Sequence, residues 1–145
     1  MQDEPMGLLF IDIYKSTDVK LGEEPCDVSA TFSAFHKTVD EAFGASSGQR
    51  WHSMGDGAIF TFPNSPSAVR GALRLLAELP AFDKSENRLR SSLHVRIGIY
   101  EAPRAAVEGI APKRRGKTAL REFDVAGKLE KNCPVGKIAL SANGD

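Results

Sequence analysis

The stretch Met6 to Tyr14 reads MGLLFIDIY, an apolar run broken near its end by the carboxylate of Asp12. Alternation around such a run is the pattern of a strand buried in the middle of a sheet. A charge placed there is costly unless it is paired or bound to metal. Asp12 is therefore marked for a task rather than for packing.

A second carboxylate sits in a turn. Arg50 to Met54 and Ala58 to Phe62 flank Gly55-Asp56-Gly57, which predicts a hairpin closed by a tight turn. Asp-Gly is common in such turns for conformational reasons alone, so Asp56 by itself is ambiguous. In a ferredoxin-like fold the first strand runs beside the strand leading into this hairpin, which would let Asp12 and Asp56 face each other across the sheet edge. Two carboxylates that close either raise one another's pKa or share divalent metal.

The rest of the chain supplies the frame. Val28, Phe32, Phe35, Val39 and Phe43 recur at helical spacing and mark one face of an amphipathic helix. Asn64-Ser65-Pro66 gives an N-cap and a first-turn proline. The helix after it carries Val69, Leu73, Leu76 and Leu79, and Pro80 is expected to stop it. Leu93, Val95, Ile97 and Ile99 predict a half-buried strand. Pro103 to Lys117 is irregular and basic. Helical spacing returns around Phe123, Ala126 and Glu130, and Gly136 to Ser141 reads as a last strand. The order predicts an α+β fold, a ferredoxin-like antiparallel sheet with helices on one face.

Composition narrows the function. A chain of 145 residues, 41% hydrophobic and 26% charged, suits one soluble domain over residues 1–145. Nineteen basic residues balance nineteen acidic ones, so the basic excess of a nucleic-acid binder is missing. The apolar run Gly7 to Ile11 is too short to span a bilayer, and Asp3 and Glu4 stand where a signal peptide needs positive charge. No membrane partner, no nucleic acid and a cytoplasmic location are expected. Cys26 and Cys133 lack metal or redox spacing and read as unpaired thiols.

The order of motifs adds a resemblance. Phe10-Ile11-Asp12-Ile13-Tyr14-Lys15-Ser16-Thr17 resembles the opening motif of class III adenylate and guanylate cyclases, in which a strand ends in a metal-binding Asp before a phosphate-binding turn. His52-Ser53-Met54-Gly55-Asp56-Gly57 resembles the second motif, whose Gly-Asp supplies the other metal ligand. Val95-Arg96-Ile97-Gly98-Ile99 is similar to the strand whose arginine contacts phosphates. Phe123 to Glu130 and Pro134 to Ser141 match the helix of transition-state residues and the strand after it. A GGDEF-type polymerase relative would instead show paired acidic residues after two glycines, which Met54-Gly55-Asp56-Gly57 does not. The resemblance implies a class III nucleotidyl cyclase fold, a nucleoside triphosphate substrate, two Mg²⁺ or Mn²⁺ ions, and a homodimer with shared sites. It implies Asp12, Ile13 and Asp56 as metal ligands, and Ser16, Thr17 and Arg96 as phosphate contacts. It places His52 and Lys117 at the base, with Asp124, Lys128 and Arg96 as catalytic residues.

This sequence departs from the family at four of those positions. His52 stands for a Lys, Lys117 for an Asp, Asp124 for an Asn and Lys128 for an Arg. Lys128 keeps the charge but loses the planar fork. Lys117 is a donor only and His52 can donate, a pair that suits a base edge rich in carbonyls such as guanine or uracil. The family's bacterial branch that makes cyclic pyrimidine nucleotides in antiphage signalling fits that pocket. Family domains commonly continue past the Ser141 strand into a hairpin with a phosphate-binding Lys, so a minimal member, a fragment or a domain that has lost activity is expected. The alternative is an inactive cyclase-homology domain that binds nucleotide, dimerises or senses.

Overall fold

The computed structural model describes residues 5–110, 136 and 138–140. Strand β1 (Met6–Ile13) is followed by a short helix α1 (Ser16–Lys20) and the long helix α2 (Pro25–Gly44). The hairpin β2 (Gln49–Met54) and β3 (Gly57–Phe62) precedes helix α3 (Ser65–Ser85). Strand β4 (Val95–Ala102), helix α4 (Arg104–Glu108) and strand β5 (Ile138–Leu140) complete the described elements. The sheet runs β2-β3-β1-β4-β5. Strands β1 to β4 pair antiparallel with one another, as expected, while β5 pairs with β4 in parallel.

Strand β1 is central and nearly every residue of it is buried. Its neighbours are β3 and β4. The strand entering the hairpin, β2, is one place farther out, which corrects the expectation that it would lie beside β1. The correction brings the hairpin turn closer to Asp12, because β3 begins directly after Asp56.

Alternate residues of each strand serve two cores. Leu9, Ile11 and Ile13 face α2 and α3 together with Phe60, Phe62, Val95, Ile97 and Ile99. From α2 come Phe32, Phe35, Val39 and Phe43, the face marked by the sequence. Phe43 meets Phe60 and Phe62 edge-on at centroid distances of 4.7 and 5.6 Å, contacts worth about 0.5–1.5 kcal/mol each beyond burial. On the other face Met6, Leu8, Phe10, Trp51, Ile59 and Ala102 pack with Val107 of α4. That face was not expected to carry a helix.

Helix α3 begins as the sequence predicts, with the Asn64 side chain accepting from the Ser67 amide at 2.9 Å. It does not end at Pro80. Proline costs an internal helix one backbone donor, but Phe82 beyond it is buried in the core and holds the last turn in place. Its buried face runs through Ala68, Ala72, Leu75 and Leu79, so Leu73 points outward instead of inward.

Candidate functional site

The site grows from one end of β1. Asp12 pairs in register with Arg96 of β4, so both side chains lie on the sheet face away from α2 and α3. Arg96 Nε approaches Asp12 Oδ1 to 3.6 Å, an ion-pair distance too long for a hydrogen bond. That carboxylate oxygen is shielded from solvent and has no hydrogen-bond partner among the described residues.

The hairpin turn meets Asp12 from the other side. Gly55 takes φ +54° at the first central position of a two-residue loop, as a turn of the II′ kind requires. Asp56 follows, and then Gly57, next to the Ala58 that pairs with Ile11. A Cβ on Gly57 would stand 2.6 Å from the Ile11 carbonyl oxygen and 3.1 Å from Asp12 Cβ. The absence of a side chain there lets the turn that carries Asp56 press against Asp12.

Asp56 has a partner that the sequence did not reveal. Lys20, in the last turn of α1, donates to Asp56 Oδ2 at 2.6 Å, with the two side chains 37% and 27% exposed. Its ammonium also lies 4.7 Å from the centroid of the buried Phe32 ring. Two more cations border the site. Arg96 and Lys15 each stand 5.4 Å from the Tyr14 ring. Lys15 holds a left-handed backbone, φ 51° and ψ 48°, as the residue that turns the chain from β1 into α1. Ser16 and Thr17 were expected in a small phosphate-binding turn; they form the first turn of α1, whose leading amides have no helical acceptor of their own.

His52 reaches the same face by a bulge. Arg50 pairs with Phe60 and His52 with Ile59, leaving Trp51 as the extra residue. The extra residue turns His52 to the side of Ile59, Phe10 and Asp12. Two strand spacings and two residues separate it from Asp12, about 12 Å. On the opposite face, His36, Asp40, Arg50, Ser53 and Gly55 line a cleft of about 310 Å³. Burial, then the neighbouring Arg50 charge, lowers the His36 pKa, with Asp56 and Asp40 pulling the other way. Lys117, Asp124 and Lys128 lie outside the described residues.

Can this end of the sheet hold divalent cations? Among the described residues no group of three or more His, Cys, Asp or Glu forms a ready cage. Mg²⁺ seldom needs one, binding through one or two carboxylates with substrate phosphates and water. The donors present suit that mode: Asp12 with an oxygen that accepts no hydrogen bond, Asp56 on the adjoining turn, and the Ile13 carbonyl at the strand end. The residues fit the ion.

No family model matches the sequence, and no curated protein matches it. Solved structures do. The adenylyl cyclase CyaB from P. aeruginosa superposes with a TM-score of 0.80 at 15% identity, over 97% of this chain and 78% of that one. The guanylate cyclase domain of RhGC from Catenaria anguillulae, in complex with GTP, gives 0.76 at 18% over 95% and 78%. The monomeric guanylyl cyclase domain of the RhoGC fusion protein from Blastocladiella emersonii gives 0.75 at 16% over 96% and 81%. This chain has the class III nucleotidyl cyclase fold. No helix among the described residues is long and apolar enough to cross a membrane.

Proposed function

We propose that this cyclase-fold domain converts a nucleoside triphosphate to a 3′,5′-cyclic nucleotide and pyrophosphate, as a homodimer in the cytoplasm. The observation that carries the reading is the junction of Asp12 with the Asp56 turn, closed by Gly57 and bordered by Arg96. In the reaction the ribose 3′-oxygen loses its proton and bonds to the α-phosphorus, while the bond to the β-phosphate oxygen breaks. Asp12, Asp56 and the Ile13 carbonyl would hold two Mg²⁺ or Mn²⁺ ions. When bound, such ions supply charge neutralisation and a more acidic 3′-hydroxyl. Arg96 offers a planar fork of donors to the β- or γ-phosphate once substrate competes for it with Asp12. The leading amides at Ser16 and Thr17 would donate to the same phosphates. His52 and Lys117 read the base from the partner chain, favouring a carbonyl edge, as in guanine or a pyrimidine. Asp124 and Lys128 act near the ribose and the α-phosphate, with Lys128 giving charge without a fork. A role in antiphage signalling belongs to the pyrimidine form of this proposal.

A second reading is a domain that binds nucleotide without turnover. Lys20 seated on Asp56 favours it. So do the substitutions Lys117 and Asp124. Incubation with each of the four ribonucleoside triphosphates and Mn²⁺, followed by mass spectrometry, separates the two. Cyclic product supports the enzyme; saturable binding with no product supports the binding domain.

A further inference from the structure

Lys20 is the only described cation within ion-pair distance of Asp56, and the two side chains are built to meet. Lys20 rides on the last turn of α1, with its ammonium 4.7 Å from the Phe32 ring centroid and 2.6 Å from Asp56 Oδ2. The ring keeps the stem from swinging freely, so the charge is held over one carboxylate oxygen rather than spread through solvent. A divalent cation on Asp56 needs the lone pairs that this ammonium engages.

We propose that Lys20 is a resident counter-ion that competes with divalent metal for Asp56 and so sets the metal affinity of the site. This role rests on the two-metal reading above. Lys20 neutralises Asp56 beside Asp12 and spares the turn the repulsion of two carboxylates. A divalent ion held by Asp56 would take the place of the ammonium. Lys20 then remains at the rim of the site as a free cation for an incoming polyphosphate. The sequence gives Lys20 no such role, because the pair joins residues 36 apart.

The test is Mn²⁺ binding to the whole chain without nucleotide, read as loss of the free-ion electron paramagnetic resonance signal. Lys20→Met keeps the stem on Phe32 and removes the charge. Its Mn²⁺ affinity should rise about fivefold, the scale set by a part-exposed ion pair. Lys20→Gln is a second uncharged variant in case Lys20→Met folds poorly, and it should shift the same way. Lys20→Arg keeps the charge and should bind within about twofold of wild type. Added Mn²⁺ should also raise the melting temperature of Lys20→Met more than that of wild type. Equal or weaker Mn²⁺ binding by both uncharged variants would overturn the competition and leave the metal site standing. No Mn²⁺ binding by wild type or any variant would overturn the metal reading, and the proposal with it.

Discussion

Gly57 lies against Asp12 so closely that no side chain fits between them, with the Ile11 carbonyl oxygen 2.6 Å and Asp12 Cβ 3.1 Å from where a Cβ would stand. Both obstacles belong to the central strand, which is pinned by ladders on its two sides and cannot shift alone. The turn that carries Asp56 is therefore positioned by an absent side chain.

Gly57→Ala should separate the two carboxylates while leaving the sheet. Overpacking of this kind costs about 1–3 kcal/mol, and a misplacement near 1 Å at reacting groups costs about 100-fold in turnover. Gly44→Ala is the control, since nothing lies within 4 Å of its added Cβ. Thermal melts and metal-dependent turnover of both variants check the claim. Full activity in Gly57→Ala would show that the Asp12–Asp56 geometry does not matter.

Asp12→Asn should keep the fold and lose the metal. Its ion pair with Arg96 spans 3.6 Å between part-exposed side chains, so removing it changes stability by less than about 1 kcal/mol. Mn²⁺-dependent turnover should disappear, and Asp56→Asn should behave alike. A variant that melts like wild type and still needs Mn²⁺ for full turnover would move the metal site elsewhere.

Lys15 invites a test of strain. Its φ of 51° costs an L-residue about 1–2 kcal/mol relative to the right-handed region. Lys15→Gly relieves that cost but gives back about 0.4–1 kcal/mol through a freer unfolded chain. Lys15→Val adds a β-branch that the left-handed region tolerates poorly. The glycine variant should melt at or slightly above wild type and the valine variant several degrees below. The reverse order would mean that the turn relaxes without a left-handed residue.

Much of this was legible in the sequence because local pattern and tertiary role agreed. The apolar run around Asp12 became the central strand, Gly55-Asp56 became the turn, and Phe32 to Phe43 became a core face. The misreadings have a shared cause. Pro80 is a local stop signal overruled by the distant anchoring of Phe82. The neighbour of β1 depends on sheet order, which periodicity does not encode. Leu73 is apolar and helical in spacing, yet the core closes on the small residues Ala68 and Ala72, one step round the helix. Lys20 carried no signal in the sequence, because its carboxylate comes from another element. Lys15 gave no hint of its backbone, since the usual sign of a left-handed turn is glycine.

His36 gives the molecule a pH dependence. Burial first, then Arg50, lowers its pKa below the ordinary 6.5, so the unfolded chain takes up a proton that the folded chain refuses. Its contribution to stability is complete above pH 6.5 and is lost as pH falls toward the lowered folded value. Melting temperatures between pH 7.5 and 5 should therefore decline, and His36→Gln should flatten part of that slope. An unchanged slope in the variant would assign the acid sensitivity to other groups.

The shared site makes the most demanding prediction. Asp12, Arg96 and Gly57 form one row on the sheet face away from α2 and α3, and His52 belongs to the next row on that face. In the proposed dimer each site takes Asp12 and Asp56 from one chain, and His52, Lys117 and Lys128 from its partner. An Asp12→Asn chain and a Lys128→Ala chain are then each inactive alone, because every site in either homodimer carries a lesion. Mixed and allowed to re-equilibrate in equal amounts, half of the dimers are hybrids. Each hybrid has one site with both lesions and one with none, so about a quarter of wild-type activity should return. Were each site built within a single chain, every site would keep its lesion and mixing would restore nothing. Hybrid dimers confirmed by native mass spectrometry and still inactive would rule out the shared site.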